Sequence, residues 1–267
     1  MGELVFIGLG MYDEKDLSIR GLEEIRTSDT VFAEFYTSLM AGLSSENLQS
    51  MAKRKISVVS RKDLEEESGQ SVLDRAKKEK VAFLVPGDPL IATTHVDLRI
   101  RAEKQGIKTR IVHSASIISA VIGLSGLQNY KYGRSVTIPF PQQGFTPETP
   151  YEVITENRKL GLHTLCFLDI DAEEEKYMTI REALRTLQTV EERRRENVVN
   201  GNTLVVGIAR AGSPNPTVKA DYVQALMKYD FGPEPHALIF PGELHFMEAD
   251  ALTILAKGPP EIRHMAK

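Results

Sequence analysis

The chain carries one cysteine, Cys166, which excludes an internal disulfide and any cluster of thiolate ligands. Cys166 lies in the apolar run HTLCFLDI and is read as a core residue, not a catalytic thiol. Long hydrophobic runs are also missing. None approaches the roughly 18–20 residues that a membrane span needs, so no membrane partner is expected. The opening MGELVFIGLG lacks a cationic region and its apolar run is of strand length, so it reads as a strand of a cytoplasmic protein, not a signal peptide. Positive charge is not in excess either. A net charge of −4 argues against a nucleic-acid partner, which demands a basic surface, and Arg193-Arg194-Arg195 reads as the solvated end of a helix. The six histidines (95, 113, 163, 236, 245 and 264) form no H-x-x-x-H or H-x-H pair, so no metal site is expected. Neither a G-x-S-x-G elbow nor a Walker A loop occurs, which removes the usual hydrolase and kinase signatures.

What the sequence has is alternation. Short apolar runs (ELVFIGLG, TVFAEFY, KISVVS, VAFLVPG and KTRIVHS, then RSVTIPF, HTLCFLDI, TLVVGIARAG and HALIFPG) are separated by helical patterns. Nearly continuous apolar runs suit strands buried on both faces of a mostly parallel sheet. A helix is expected from Ser18 as N-cap, with Ile19, Leu22 and Ile25 on one face. Another should end at Gly106, and TIREALRTLQTVEERRRE is a long amphipathic helix. SIISAVIGLSGL is apolar nearly all round and is expected to be buried. The pattern gives an α/β fold, and 267 residues suffice for two α/β lobes, 1–114 and 115–267. The four-proline stretch 139–151 is either a lid or a surface excursion.

Ligands of open α/β sheets sit beyond the carboxyl ends of strands, so the strand ends are where function is sought. In GLGMYDEKDLS, Gly8 and Gly10 are followed by Asp13 where a dinucleotide fingerprint needs its third glycine, which makes a pyrophosphate a poor fit. In VPGDPLIATTH, prolines flank Asp88 and fix the direction of its carboxylate; the alternative is a cap for the next helix, which Thr93 or Thr94 would serve better. HSASI offers Ser116 as a cap, ARAGSPNP puts the small Ala211 where a flat ring could lie, and His236 opens HALIFPG as a structural donor.

The combination of FIGLGMYDEKDLS, VFAEFYTSLMAG, FLVPGDPLIATTH, HSASI, GLHTLCFLDI, ARAGSPNP and PGELHFMEAD resembles the diphthine synthases, a branch of the tetrapyrrole methylase superfamily, from residue 3 to about 256. Tetrapyrrole-modifying relatives continue the first loop as a Gly-Pro-Gly-Asp-Pro type segment, where this chain has Met11-Tyr12-Asp13-Glu14. They place glycine soon after the second Gly-Asp-Pro, where this chain has Ile91-Ala92-Thr93-Thr94. Both departures favour the diphthine synthase branch over a precorrin or uroporphyrinogen methyltransferase. The resemblance implies two α/β domains of tetrapyrrole methylase type, a cofactor cleft between them and a homodimer. It implies S-adenosylmethionine as cofactor, with Met11, Asp88, Ile91, Ser116, Ile117, Leu168, Ala211 and His236 as its contacts. It further implies methylation of the amino group of 3-amino-3-carboxypropyl-histidine on translation elongation factor 2. Three transfers give diphthine, and a fourth onto the carboxylate belongs to the eukaryotic-type reaction. No catalytic base is assigned, and Phe35 or Tyr36 is expected to offer an aromatic face to the growing ammonium.

Overall fold

The computed structural model describes residues 2–142, 145–172 and 174–266. The chain divides into two compact units, 1–117 with 172–174, and 118–171 with 175–267.

The first unit contains β1 (Glu3–Gly8), α1 (Ile19–Arg26), β2 (Thr30–Ala33), α2 (Ser45–Ala52), β3 (Ser57–Val58), α3 (Arg61–Glu65), α4 (Gln70–Ala76), β4 (Lys80–Val85), α5 (His95–Lys104) and β5 (Lys108–Val112). Its five strands form one parallel sheet in the order β3-β2-β4-β1-β5, with Phe6 opposite Phe83 across β1 and β4. Both faces are covered, which is why these strands read as apolar runs and not as alternations. Along β1, Val5 and Ile7 turn toward Ile25 of α1 and Leu48 of α2, while Leu4 and Phe6 turn toward Val72 and Leu73 of α4 and Leu98 of α5. The path from β1 to β2 thus runs over one face, and that from β4 to β5 over the other. Ser18 caps α1 by accepting from the Gly21 amide, as expected, and Ile25 is buried. Ile19, expected on the same buried stripe, is the first residue of the helix and is 79% exposed.

The helix α6 (Ile117–Ser125) buries only Val121 and Ser125, and Ile118 remains exposed. This corrects the expectation of a buried helix: apolar composition states what a helix could bury, not what covers it.

The second unit follows with β6 (Val136–Ile138), α7 (Thr149–Lys159), β7 (Thr164–Leu168), β8 (Ile170–Asp171), β9 (Lys176–Tyr177), α8 (Ile180–Arg194), β10 (Leu204–Ala209), β11 (Thr217–Tyr222), α9 (Val223–Leu226), β12 (His236–Phe240) and α10 (Phe246–Ile254). Its main sheet has the order β11-β10-β12-β7-β6. Only β6 and β7 pair in parallel; the other three pairings are antiparallel. The expected mostly parallel sheet therefore holds for the first unit only. The stretch between β10 and β11 is too short for a crossover and returns as a hairpin. One face packs on α7 and α8, where Tyr151, Ile154, Leu184 and Leu187 surround Cys166, Leu168 and Leu238. Cys166 is a core residue, and burial pushes its thiol well above the usual range. Thr179 and Glu182 form a capping box at the start of α8. At its other end Arg193 and Arg194 pair with Glu148, Glu152 and Glu196, so this basic run tethers α8 to α7 and its flank. Within the proline-rich stretch, Gln143 and Gly144 lie outside the described residues, and Thr149 and Pro150 already belong to α7. No helix among the described residues is long and apolar enough to cross a membrane.

Candidate functional site

In the first unit the topology selects the position. Strands β1 and β4 are neighbours whose onward connections depart over opposite faces, the arrangement that opens a crevice at the carboxyl ends. Both strands end there in glycine-containing turns that meet. The amide of Gly10 donates to the Gly87 carbonyl (3.3 Å) and that of Gly87 to the Gly10 carbonyl (2.6 Å). A Cβ on Gly8 would stand 2.5 Å from the Gly87 oxygen and 2.7 Å from the Ser114 Cβ, so only glycine permits this approach. Beyond Gly10 the amides of Met11 (3.0 Å) and Tyr12 (2.7 Å) converge on one oxygen of Asp16. These two amides are thus committed to a carboxylate of the chain itself.

Asp88 is 7% exposed and anchored to the end of β5. Its Oδ2 accepts from His113 Nδ1 (2.7 Å) and from the Ser114 amide (3.2 Å). Among the described residues its Oδ1 receives only a long bond from the Leu90 amide (3.4 Å), which leaves acceptor capacity for a ligand. Ile91 is 38% exposed, and Ala92 after it adopts the left-handed region at φ 55°. Thr94 occupies the cap position of α5 but makes no side-chain cap bond. Thr93 donates to the Pro89 carbonyl (3.0 Å), and His95 turns inward. Ser116 is buried and Ile117 begins α6.

The second unit brings Leu168, Ala211 and His236 to one end of its main sheet. Leu168 closes β7, and its side chain belongs to the core. Ala211 follows β10 in a turn fixed by Arg210, whose guanidinium donates to the carbonyls of Phe231 and Pro233 and to Thr217 Oγ1. His236 stands opposite Ala209 in the ladder. Its Nε2 donates to the Gly232 carbonyl (3.0 Å), and its Nδ1 accepts from the Ile180 amide (3.3 Å). Burial lowers the pKa of this imidazole. With both nitrogens committed to main chain, the ring has no hydrogen bond left for a ligand, and any contact it makes must be through its backbone or ring carbons. Ser213 Oγ, two residues beyond Ala211, is buried and has no hydrogen-bond partner among the described residues.

The fold also contains buried networks the sequence reading passed over. Glu34, fully buried after β2, accepts from Thr37 Oγ1 (2.5 Å) and His95 Nε2 (3.0 Å) on one oxygen, and from the amides of Tyr36 and Thr37 (3.0 Å each) on the other. A glutamate inside the apolar run VFAEFY was the available signal. Phe35 is partly buried against the core, and the Tyr36 ring carries the Arg61 guanidinium 5.6 Å from its centroid. In the second unit, fully buried Glu248 accepts from the Gln128 amide (2.9 Å), Lys131 Nζ (2.6 Å), His163 Nε2 (2.9 Å) and the His245 amide (2.8 Å). It ties the start of α10 to β7 and to the segment before β6. Among the described residues no group of three or more His, Cys, Asp or Glu side chains is suited to a metal ion.

Comparison with known proteins agrees with this architecture. Residues 3–226 match the family model of the Tetrapyrrole (Corrin/Porphyrin) Methylases. The diphthine synthase of Methanocella arvoryzae is 52% identical over 95% of this chain and 98% of its own length. A crystal structure of a diphthine synthase superposes with a TM-score of 0.90 at 40% identity, covering 98% of this chain and 99% of that one. A putative diphthine synthase from Entamoeba histolytica superposes at 0.87 with 36% identity, over 96% and 98% of the two chains. The chain therefore belongs to the tetrapyrrole methylase family, within it to the diphthine synthases, and is a methyltransferase.

Proposed function

We propose that the chain transfers methyl groups from S-adenosylmethionine to the amino group of 3-amino-3-carboxypropyl-histidine on translation elongation factor 2, giving diphthine. The observation that carries this reading is the similarity to diphthine synthases along nearly the whole chain. The departures at Met11–Glu14 and Ile91–Thr94 support it against methylation of a tetrapyrrole. Met11, Asp88, Ile91, Ser116, Ile117, Leu168, Ala211 and His236 are the proposed donor contacts, and the lobes 1–114 and 115–267 the proposed domains.

Bound S-adenosylmethionine would supply a methyl group activated by its sulfonium. The residues have to orient and dry the reacting atoms, since in-line alignment alone contributes up to roughly 7–11 kcal/mol in favourable systems. Asp88 suits a donor that carries hydroxyl and amino groups, because Oδ2 fixes the carboxylate on β5 while Oδ1 retains acceptor capacity. The attacking amine must be neutral, and desolvation favours that form without a dedicated base.

Mass spectrometry of elongation factor peptides after incubation with the protein and S-adenosylmethionine tests the reading. Methyl groups on the modified histidine are the expected result, with their number read from the mass. Unmodified peptides together with a methylated tetrapyrrole would replace this reading by the alternative. The same reading makes the protein a cytoplasmic homodimer, which sedimentation would detect as twice the chain mass.

A further inference from the structure

We propose that Glu34 and His95 form a positioning pair that sets the shape of the 86–94 segment and thereby the affinity for the methyl donor; this rests on the reading of Asp88 and Ile91 as donor contacts.

The segment between β4 and α5 forms no regular helix or strand. Its start is paired with Gly10, the Ile91 amide and the Thr93 hydroxyl donate to the Asp88 and Pro89 carbonyls within it, and two side-chain tethers join it to neighbouring strands. At one end Asp88 is fixed to the end of β5 through His113 and Ser114. At the other, His95 is fixed to the end of β2 through Glu34. These strands lie on opposite sides of β4 and β1 in the sheet. The turn therefore lies between two anchors, with Ile91 between them.

Three observations assign the second anchor to His95 and not to ordinary capping. Thr94 makes no side-chain cap bond, so the helix start is not held by the usual device. His95 is 2% exposed, and its ring stands edge-on to Phe83 at 5.2 Å and to Tyr36 at 6.3 Å, which fixes the direction of Nε2. Glu34 is fully buried, with four donors on a group that offers about four acceptor sites. Such a pair has one geometry, and it transmits that geometry to the residue next to it in the chain. Within the segment Ala92 sits at φ 55°, in the left-handed region that residues other than glycine adopt uncommonly. If the His95 anchor is released, the turn carrying Ile91 changes shape.

The test compares His95→Leu, which removes the donor, with His95→Gln, which keeps one, and Glu34→Gln, which keeps an acceptor. Calorimetry with S-adenosylhomocysteine, methyl-transfer kinetics, thermal unfolding and hydrogen exchange are measured on each. If His95→Leu lowers the donor-competent fraction to about one tenth, the apparent Kd rises about tenfold. The expected pattern is that loss, with KM for the donor raised and kcat preserved, faster exchange at 88–94, and recovery in His95→Gln. Glu34→Gln should fall between. A folded His95→Leu protein that binds as tightly as wild type, or exchanges no faster at 88–94, overturns the proposal. Should His95→Leu fail to fold, the comparison of His95→Gln and Glu34→Gln with wild type decides, since unchanged affinity and exchange in Glu34→Gln also overturns it. Absence of binding by the wild-type protein would instead remove the donor-site reading beneath it.

Discussion

Glu248 shows how far a single buried charge can be held. Burial raises its pKa, but Lys131, the amides of Gln128 and His245, and His163 outweigh that and bring it down to about 2. Since the folded value lies below the unfolded one near 4.5, the stabilisation is fully present above pH 4.5 and is lost as pH falls toward 2; it amounts to about 3 kcal/mol. Burial also keeps the His163 imidazole below its ordinary value, so acid weakens the same region through both groups. Glu248→Gln turns one acceptor oxygen into a donor facing other donors, and about 3–5 kcal/mol of stability should be lost at pH 7. Urea titrations at pH 7 and pH 3 check this, with the gap to wild type narrowing in acid. Asp88 belongs to the same scale. A hydrogen bond to a charged group is worth about 1.5–3 kcal/mol, so Asp88→Ala should weaken donor binding tenfold or more by calorimetry. That Asp88 stands at the end of a strand was legible from VPGDP, whereas its bond to His113, 25 residues on, was not. For Glu34 the one local signal was a carboxylate inside the apolar run VFAEFY; its partner His95, 61 residues away, could not be read from it.

Among the elements, α8 depends on its capping box, and Thr179→Ala should cost about 1 kcal/mol in a denaturant titration. Strand β10 has a tighter constraint. A Cβ on Gly207 would come within 2.3 Å of the Phe231 ring and 2.9 Å of Ile180 Cδ1. Gly207→Ala should therefore lower the unfolding midpoint by overpacking, at roughly 1–3 kcal/mol, although inside a strand alanine is otherwise less costly than glycine. The apolar runs located the main strands, because burial on two faces leaves a composition signal. Direction leaves none, so the antiparallel second sheet could not be read from HALIFPG or TLVVGIARAG. Helix α6 failed for a related reason: Ile118 is apolar and exposed, and a sequence does not say which surface meets it.

For the whole molecule, the two-unit α/β fold followed from the number and spacing of the runs, whereas the acceptor did not; it entered through resemblance. A folded protein acceptor and a small macrocycle make different demands on the molecule. Labelled methyl from S-adenosylmethionine should appear on the elongation factor and not on uroporphyrinogen in parallel assays. The internal closure of the first loop has a consequence for life among other adenine compounds. Met11 and Tyr12 spend their amides on Asp16, so this turn gives a phosphate nothing to hold. The proposed methyl donor carries no phosphate, but ATP and ADP do. A loop sealed by its own aspartate would let the protein ignore nucleotides that share the donor's adenosine, and millimolar ATP should leave the rate of methyl transfer unchanged.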